Sequence, residues 1–327
     1  MKILYVLASN PKDTYYEQFL LSLTSLKLVS PELETILLCD TKTKETLTGN
    51  RTEYQKLISQ VITVEAPGAM TQSEVSRWLK TSMRSHVKGD FLFIDSDTII
   101  TENISSISEL GLAFAACLDK HSTLESHHMR EYIISNNGKL NFNAHLSIPH
   151  YNSGIIFCKD TTETHNLFNR WHELWLFSNS RNIPVDQPSF NQAISENYSI
   201  FKELHGIWNC QICYNGLPFL AKSKIIHYFA SSLNSLNPPF ILASDSILKQ
   251  IKESGKIPEI ALKHLENPRA AFVSESRIIT DNEMELVNSF IFSKLLWLKK
   301  RKPGLFDKLN NLSSFFTSKK RKTKSKL

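Results

Sequence analysis

Short apolar runs rich in β-branched and aromatic residues alternate along this chain with segments whose apolar positions recur at helical spacing. Ile3–Ala8, Thr35–Cys39, Val61–Val64, Phe91–Ile94, Ala113–Leu118 and Ile155–Cys158 have the length and content of buried strands. Between them, Phe19, Leu20, Leu23 and Leu26 put one apolar face on a helix over Tyr16–Leu28. Val75, Trp78, Leu79 and Met83 repeat that spacing, as do Leu167, Trp171, Leu174 and Trp175 over Glu163–Phe177. Such alternation predicts an α/β fold, a largely parallel sheet wrapped by helices. After about Leu242 the pattern changes to short helices punctuated by Pro258 and Pro268, with no strong strand. We therefore expect a body over 1–242, a helical region over 243–302 and a tail over 303–327. No repeat of fixed period is present.

The 327 residues suffice for one large α/β domain and a small appendage. Charge changes this picture mainly at the carboxyl end. From Lys294 onward there are twelve Lys or Arg against the single acid Asp307, so the net charge of +6 belongs to the tail and the body is net acidic. Nucleic-acid binding by the body is thereby disfavoured. Two apolar-aromatic blocks, Asn288–Arg301 and the stretch from Leu305 to Phe316, each end in a basic cluster. They fit a surface helix on anionic lipid, or, from Lys319 on, a solvated tail. Met1–Ala8 is too short for a signal h-region and reads as a first strand, and no run of about 18 apolar residues exists. A cytoplasmic protein, peripheral on the inner face of the membrane, is the expectation. The five cysteines are odd in number and set mostly in apolar runs, as buried thiols of a reducing compartment are. Cys210-Gln211-Ile212-Cys213 has no second pair to complete a zinc site.

The candidate chemistry begins where Phe91–Ile94 runs into Asp95-Ser96-Asp97. A buried strand ending this way sets two carboxylates at the carboxyl edge of a sheet, where open α/β sheets bind ligands. They repel each other and are costly to desolvate unless a cation sits between them. A hard divalent ion, Mg²⁺ or Mn²⁺, suits oxygen ligands and would carry a diphosphate. Asp-Ser-Asp is also ordinary turn chemistry. Further segments bear on the choice: Glu74-Val75-Ser76-Arg77-Trp78-Leu79, Tyr151-Asn152-Ser153-Gly154-Ile155, Pro184-Val185-Asp186-Gln187-Pro188-Ser189-Phe190-Asn191, and Lys224-Ile225-Ile226-His227-Tyr228. A guanidinium at Arg77 suits a carboxylate or a diphosphate. Gly154 permits close backbone approach at the opening of a strand. Asp186 could simply cap a helix.

Together and in this order, these motifs over roughly residues 1–235 resemble the GT-A nucleotide-sugar glycosyltransferases, most closely family 8 of the retaining enzymes. The resemblance implies a Rossmann-like GT-A domain with a helical, basic extension. It implies a metal site of Asp95, Asp97 and His227 holding Mn²⁺ or Mg²⁺, and it puts Asp186 and Gln187 beneath the donor sugar as catalytic groups. Arg77, Asp95, Ser96, Asn152 and Ser153 would contact the donor, and Asp119 would stand near the donor–acceptor junction. Ala8 and Ser9, ending the first strand, would meet the nucleoside, with Tyr15 or Tyr16 stacking on the base. The family's His-x-x-Gly-x-x-Lys-Pro-Trp segment is altered: Ala230 stands for the glycine and Leu233 for the lysine, so Lys222, Lys224 or Arg77 would have to serve the diphosphate.

The same resemblance implies a metal-dependent hexosyltransferase using a UDP-hexose, UDP-glucose or UDP-galactose first. Its acceptor would be a saccharide or lipid-linked glycan, in cell-surface glycan synthesis. Two rivals remain. A sugar-nucleotide nucleotidyltransferase would carry a glycine-rich phosphate loop, and Ser9-Asn10-Pro11-Lys12-Asp13 contains no glycine. A catalytically silent membrane-surface module of the same fold would not need both Asp-x-Asp and Asp-Gln.

Overall fold

The structure, a computed structural model, describes residues 1–143, 149–229, 239–273, 281–287 and 289–312. Among these residues, ten strands form two sheets. The large sheet contains β1 (Lys2–Leu7), β2 (Thr35–Asp40), β3 (Gln60–Val64), β4 (Phe91–Ile94), β6 (Phe114–Leu118), β7 (Tyr151–Cys158) and β8 (Phe201–Glu203), in the order β3-β2-β1-β4-β7-β6-β8. The small sheet is β5-β10-β9, from β5 (Thr98–Ile100), β9 (Cys210–Gln211) and β10 (Ile225–His227). The six strands anticipated from apolar runs are all present. The short β5, β8, β9 and β10 are too brief to carry a periodic signal.

Strands β3, β2, β1 and β4 are mutually parallel, and β4 lies on the opposite side of β1 from β2. That reversal of strand order makes a switch point at the carboxyl ends of β1 and β4, where a crevice opens. The expectation of a largely parallel sheet is modified in one place. β7 runs antiparallel to both β4 and β6, with Ile94 opposite Ile155 and Phe91 opposite Cys158. Tyr151–Gly154 extends the expected strand Ile155–Cys158 as its first half, and the reversed direction carries Asn152, Ser153 and Gly154 to the edge where β4 delivers Asp95.

Side chains alternate across the sheet and build a core on each face. On β1, Ile3, Tyr5 and Leu7 enter one core and Leu4 the other; on β4, Leu92 and Ile94 face one way and Phe91 and Phe93 the other. Strands covered on both faces read as continuous apolar runs, which is why they were visible in the sequence. The helices of this unit are α1 (Tyr15–Val29), α2 (Thr41–Thr46), α3 (Gln72–His86), α4 (Arg130–Leu140), α5 (Thr162–Ser180), α6 (Gln187–Glu196), α7 (Leu217–Leu220), α8 (Asp245–Ser254) and α9 (Glu259–Glu266). Helix α3 opens with a reciprocal capping box: the Thr71 hydroxyl accepts from Glu74 N at 3.3 Å, and Glu74 Oε2 accepts from Thr71 N at 2.8 Å.

The chain divides into two compact units, Met1–Ser274 and Glu275–Leu327. The first unit includes α8, whose Ile247, Leu248 and Ile251 are buried. The second unit contains α10 (Asp281–Val287), α11 (Phe290–Arg301) and a helix over 303–312. Residues from Lys319 on, expected as lipid-binding or solvated, lie outside the described set. Among the described residues no helix is long and apolar enough to cross a membrane.

Trp171 of α5 joins fold to site. It is fully buried, its ring lies 4.7 Å from that of Phe190 on α6, and its Nε1–H donates to the Asp186 carbonyl at 3.3 Å. Trp171→Ala is expected to lower unfolding stability by about 3–5 kcal/mol in a urea titration, through the cavity it leaves.

Candidate active site

At the switch point lies a cleft of about 540 Å³, within the size range of small-molecule sites. The metal-ligand candidates reach it from the turn after β4 and from the end of β10. Asp95, Ser96 and Asp97 form the turn from β4 into β5. Strand β10 pairs antiparallel with β5, placing His227 opposite Thr98, and Tyr228 N donates to the Asp97 carbonyl at 3.1 Å. Register alone thereby brings His227 to Asp97. One ligand atom from each of Asp95, Asp97 and His227 falls within 4.8 Å of the others. His227 Nε2 stands 3.3 Å from Asp97 Oδ1.

Gly154 makes room for this meeting. Asp95 N donates to the Gly154 carbonyl at 2.8 Å. A Cβ built on Gly154 would come within 2.5 Å of His227 Cε1 and 2.9 Å of both Asn152 Oδ1 and Asp95 Oδ2. The close approach that glycine permits is used here by the site's own side chains.

The second carboxylate system stands opposite. Asp186 caps α6 in position only. Its side chain makes no cap hydrogen bond and instead accepts from Ser153 Oγ at 2.7 Å, pairs with Arg77 Nε at 3.2 Å, and pairs with Lys80 Nζ at 3.4 Å. Burial would raise its pKa, but Lys80, Arg77 and Ser153 outweigh burial and hold it down, at about 2. Lys80 Nζ also lies 3.3 Å from both oxygens of Asp95. Asp95 nevertheless has a raised pKa, because burial and the charges of Asp97 and Asp186 outweigh Lys80 and His227. A cation beside Asp95 would favour its ionised form, and the two carboxylates with an imidazole form the donor set a hard or borderline divalent ion takes.

Of the residues singled out in the sequence, Ala8, Tyr15, Arg77, Asp95, Ser96, Asp97, Asn152, Ser153, Asp186, Gln187 and His227 all line the cleft. Ser9 and Asp119 do not. Ser9 is buried and committed to its own loop, its N–H donating to Thr43 Oγ1 and its hydroxyl to Asp13 Oδ1. Asp119 lies buried behind Asn152, accepting from Asn152 Nδ2 and from His127 Nε2, each at 2.9 Å. Burial would raise its carboxyl, yet the His127 hydrogen bond and the Lys120 charge hold it well below the usual range. Tyr16 is fully buried against Phe19 and Tyr54, so of the two tyrosines the half-exposed Tyr15 is the one on the cleft.

Among the cations considered for a diphosphate, only Arg77 faces the cleft. Lys224 pairs with Glu102 at 3.4 Å and Lys222 is exposed. Ala230 and Leu233 lie outside the described residues. Lys80 was not anticipated from the sequence, although its i+3 spacing from Arg77 on α3 puts both on one helix face. Asn209, Gln72, Asp13 and Phe229 were not anticipated either; isolated polar or aromatic residues of this kind have no spacing signal. Cys210 and Cys213 are free thiols, as expected.

The model of glycosyl transferase family 8 matches residues 90–232, the segment that supplies half of the residues lining the cleft, Asp95, Asp97, Asp186, Gln187 and His227 among them. Residues 90–232 thus form a family 8 glycosyltransferase domain. No curated protein matches the chain. Similar solved structures include mouse xyloside xylosyltransferase 1 in its apo form, at 14% identity and TM-score 0.49, covering 71% of this chain and 98% of that one. The galactosyltransferase LgtC with donor and acceptor sugar analogues shows 11% identity and TM-score 0.48, over 80% and 99%. The glycosyltransferase GlyE of Streptococcus pneumoniae TIGR4 shows 16% identity and TM-score 0.46, over 85% and 67%. At these identities a shared substrate does not follow.

Two outcomes test the geometry. Gly154→Ala must displace His227 or Asp95 and is expected to lower stability by about 1–3 kcal/mol in urea unfolding, as overpacking does. Because the Asp186 pKa is depressed in the folded state, its contribution to stability is present above about pH 4 and lost as pH falls toward 2. Asp186→Asn should therefore flatten the acid limb of stability against pH, measured by chemical denaturation between pH 2 and about 5.

Proposed function

We propose that this glycosyltransferase moves a hexosyl group, with retention of anomeric configuration, from a nucleoside-diphosphate sugar to a saccharide or lipid-linked glycan acceptor. By family resemblance UDP-glucose and UDP-galactose are the first donors to test, and cell-surface glycan synthesis is the setting. The observation that carries the reading is the convergence, in one cleft, of Asp95, Asp97 and His227 on one side with Asp186, Gln187, Arg77 and Lys80 on the other. Asp95, Asp97 and His227 would hold Mn²⁺ or Mg²⁺, whose charge stabilises a leaving diphosphate as a Lewis acid does.

The chain's own residues supply orientation and electrostatics. Asn152, Ser153 and Asp186 line the region expected to hold the sugar, and Arg77 offers a fork of donors for anionic oxygens. Asp186 is engaged by Arg77, Lys80 and Ser153, which supports a stabilising role over that of a covalent nucleophile. Gln187 lines the cleft and offers a carbonyl dipole to an oxocarbenium-like centre without forming a stable bond to it. We therefore favour attack by the acceptor hydroxyl on the face from which the nucleoside diphosphate departs. The bond from the acceptor oxygen to the anomeric carbon forms as the bond to the phosphate oxygen breaks, and the hydroxyl proton passes to that phosphate.

The second unit supports placement at a membrane. Phe290, Ile291 and Trp297 of α11 are 75%, 71% and 54% exposed, and the helix ends in Lys299, Lys300 and Arg301. Exposed aromatic and aliphatic residues with terminal lysines fit an anionic lipid interface, which agrees with a cytoplasmic enzyme peripheral on the inner leaflet.

Calorimetric titration of UDP is expected to show binding with Mn²⁺ that disappears with EDTA and in Asp97→Ala. UDP release from one UDP-hexose would name the donor, and NMR of the product anomer would report retention. No nucleotide binding under any metal would overturn the reading in favour of a silent module. For the lipid contact, the full chain should co-sediment with phosphatidylglycerol vesicles and not with phosphatidylcholine vesicles, and Trp297→Glu should abolish that binding.

A further inference from the structure

Behind the candidate metal site runs a buried chain of hydrogen bonds whose polarity is fixed at its far end by the backbone. Met129 N–H donates to His127 Nδ1 at 3.1 Å, so the proton of the neutral His127 ring is on Nε2, which donates to Asp119 Oδ2 at 2.9 Å. The other Asp119 oxygen only accepts, so the group it meets at 2.9 Å is the Asn152 amide nitrogen. Asn152 Oδ1 is thereby turned the other way, and Gly154 N–H fixes that orientation by donating to it at 2.9 Å. The same oxygen accepts from Asn209 Nδ2 at 2.9 Å. With its nitrogen so used, Asn209 presents Oδ1 to His227 Nδ1 at 3.0 Å. An amide oxygen accepts only, so Nδ1 of a neutral His227 carries the hydrogen and Nε2 is left bare.

That bare nitrogen faces Asp97 Oδ1 at 3.3 Å, lone pair toward lone pair, an arrangement that a cation between them satisfies. Asn209 and Asp119 are themselves buried, and neither lines the cleft. Their polar groups serve no ligand in the cleft; through Asn152 they join His127 to His227.

We propose that Asn209 is a positioning residue that, through Asn152 and Asp119, sets His227 in the Nδ1–H tautomer and aims Nε2 at the divalent cation. The proposal rests on the reading of Asp95, Asp97 and His227 as metal ligands and adds residues that no spacing in the sequence marks. Partners that orient a ligating histidine through its other ring nitrogen commonly affect metal affinity by about 10–100-fold.

The test has two arms. In the first, long-range ¹H–¹⁵N spectra of the metal-free full chain with ¹⁵N-histidine, assigned by loss of signals in His227→Gln, report the tautomer. The Nδ1–H form is expected in the wild type and in Asn209→Asp, which keeps an acceptor facing Nδ1, and a mixture in Asn209→Leu. An Nε2–H tautomer in the wild type would overturn the proposal. The second arm measures Mn²⁺ affinity by electron paramagnetic resonance, with thermal unfolding to verify the fold. Asn209→Leu should bind Mn²⁺ about 10–100-fold more weakly, and Asn209→Asp should recover most of that loss. If the wild type binds Mn²⁺ and Asn209→Leu binds it equally well, the role of Asn209 fails while the metal reading survives. If the wild type binds none, the metal reading itself fails and takes the proposal with it.

Discussion

The ammonium of Lys80 stands between Asp95 and Asp186, and the rest of the cleft depends on that contact. The carboxylates of Asp95, Asp97 and Asp186 face one cavity, and like charges this close oppose folding unless countered. Lys80 bridges two of them at 3.3–3.4 Å, and Arg77 relieves Asp186 further at 3.2 Å. The compensation is unequal. Asp186 is firmly ionised, while Asp95, beside Asp97, has a raised pKa. The fold thus finishes one carboxylate system with its own cations, and the other is the one we propose a divalent ion completes.

Strand direction delivers the components. A wholly parallel sheet would put the start of β7 at the far end from Asp95. The antiparallel insertion puts Asn152, Ser153 and Gly154 beside Asp95, and the small sheet does the same for His227 by pairing β10 with β5. Gly154 is then required because a side chain there would occupy the space of His227, Asn152 and Asp95 at once. Backbone strain gathers at the same rim: Lys120, His121 and Phe229 have φ values of 55°, 50° and 50°, a region non-glycine residues rarely adopt. Lys120 N donates to Gln211 Oε1 at 2.7 Å, which helps hold that turn beside Asp119.

Much of this was legible in the chain. Five of the six strands announced themselves because both faces are covered, the edge strand β3 being only half-buried, and the helices α1, α3 and α5 by the spacing of their apolar positions. Asp95, Asp97, Asp186, Gln187 and His227 were legible as motif residues in a fixed order. Lys80 was within reach of helical spacing but carries no motif of its own. Asn209 was beyond reach, since a buried amide is defined by its partners and those partners are 18 to 57 residues away. Ser9 and Asp119 stand at the expected strand ends, but only the local hydrogen bonds decide that their side chains turn inward.

The sequence by itself determined the alternation of strands and helices, the basic end, and the identity of the side chains at the carboxyl edge, because these are local properties of composition and period. Tertiary structure decided the reversal of β7, the inclusion of α8 in the first unit, the meeting of His227 with Asp97, and the direction of every hydrogen bond behind it. Such features arise from pairing between distant segments, where register, burial and the donor or acceptor character of a neighbour fix what no local pattern contains.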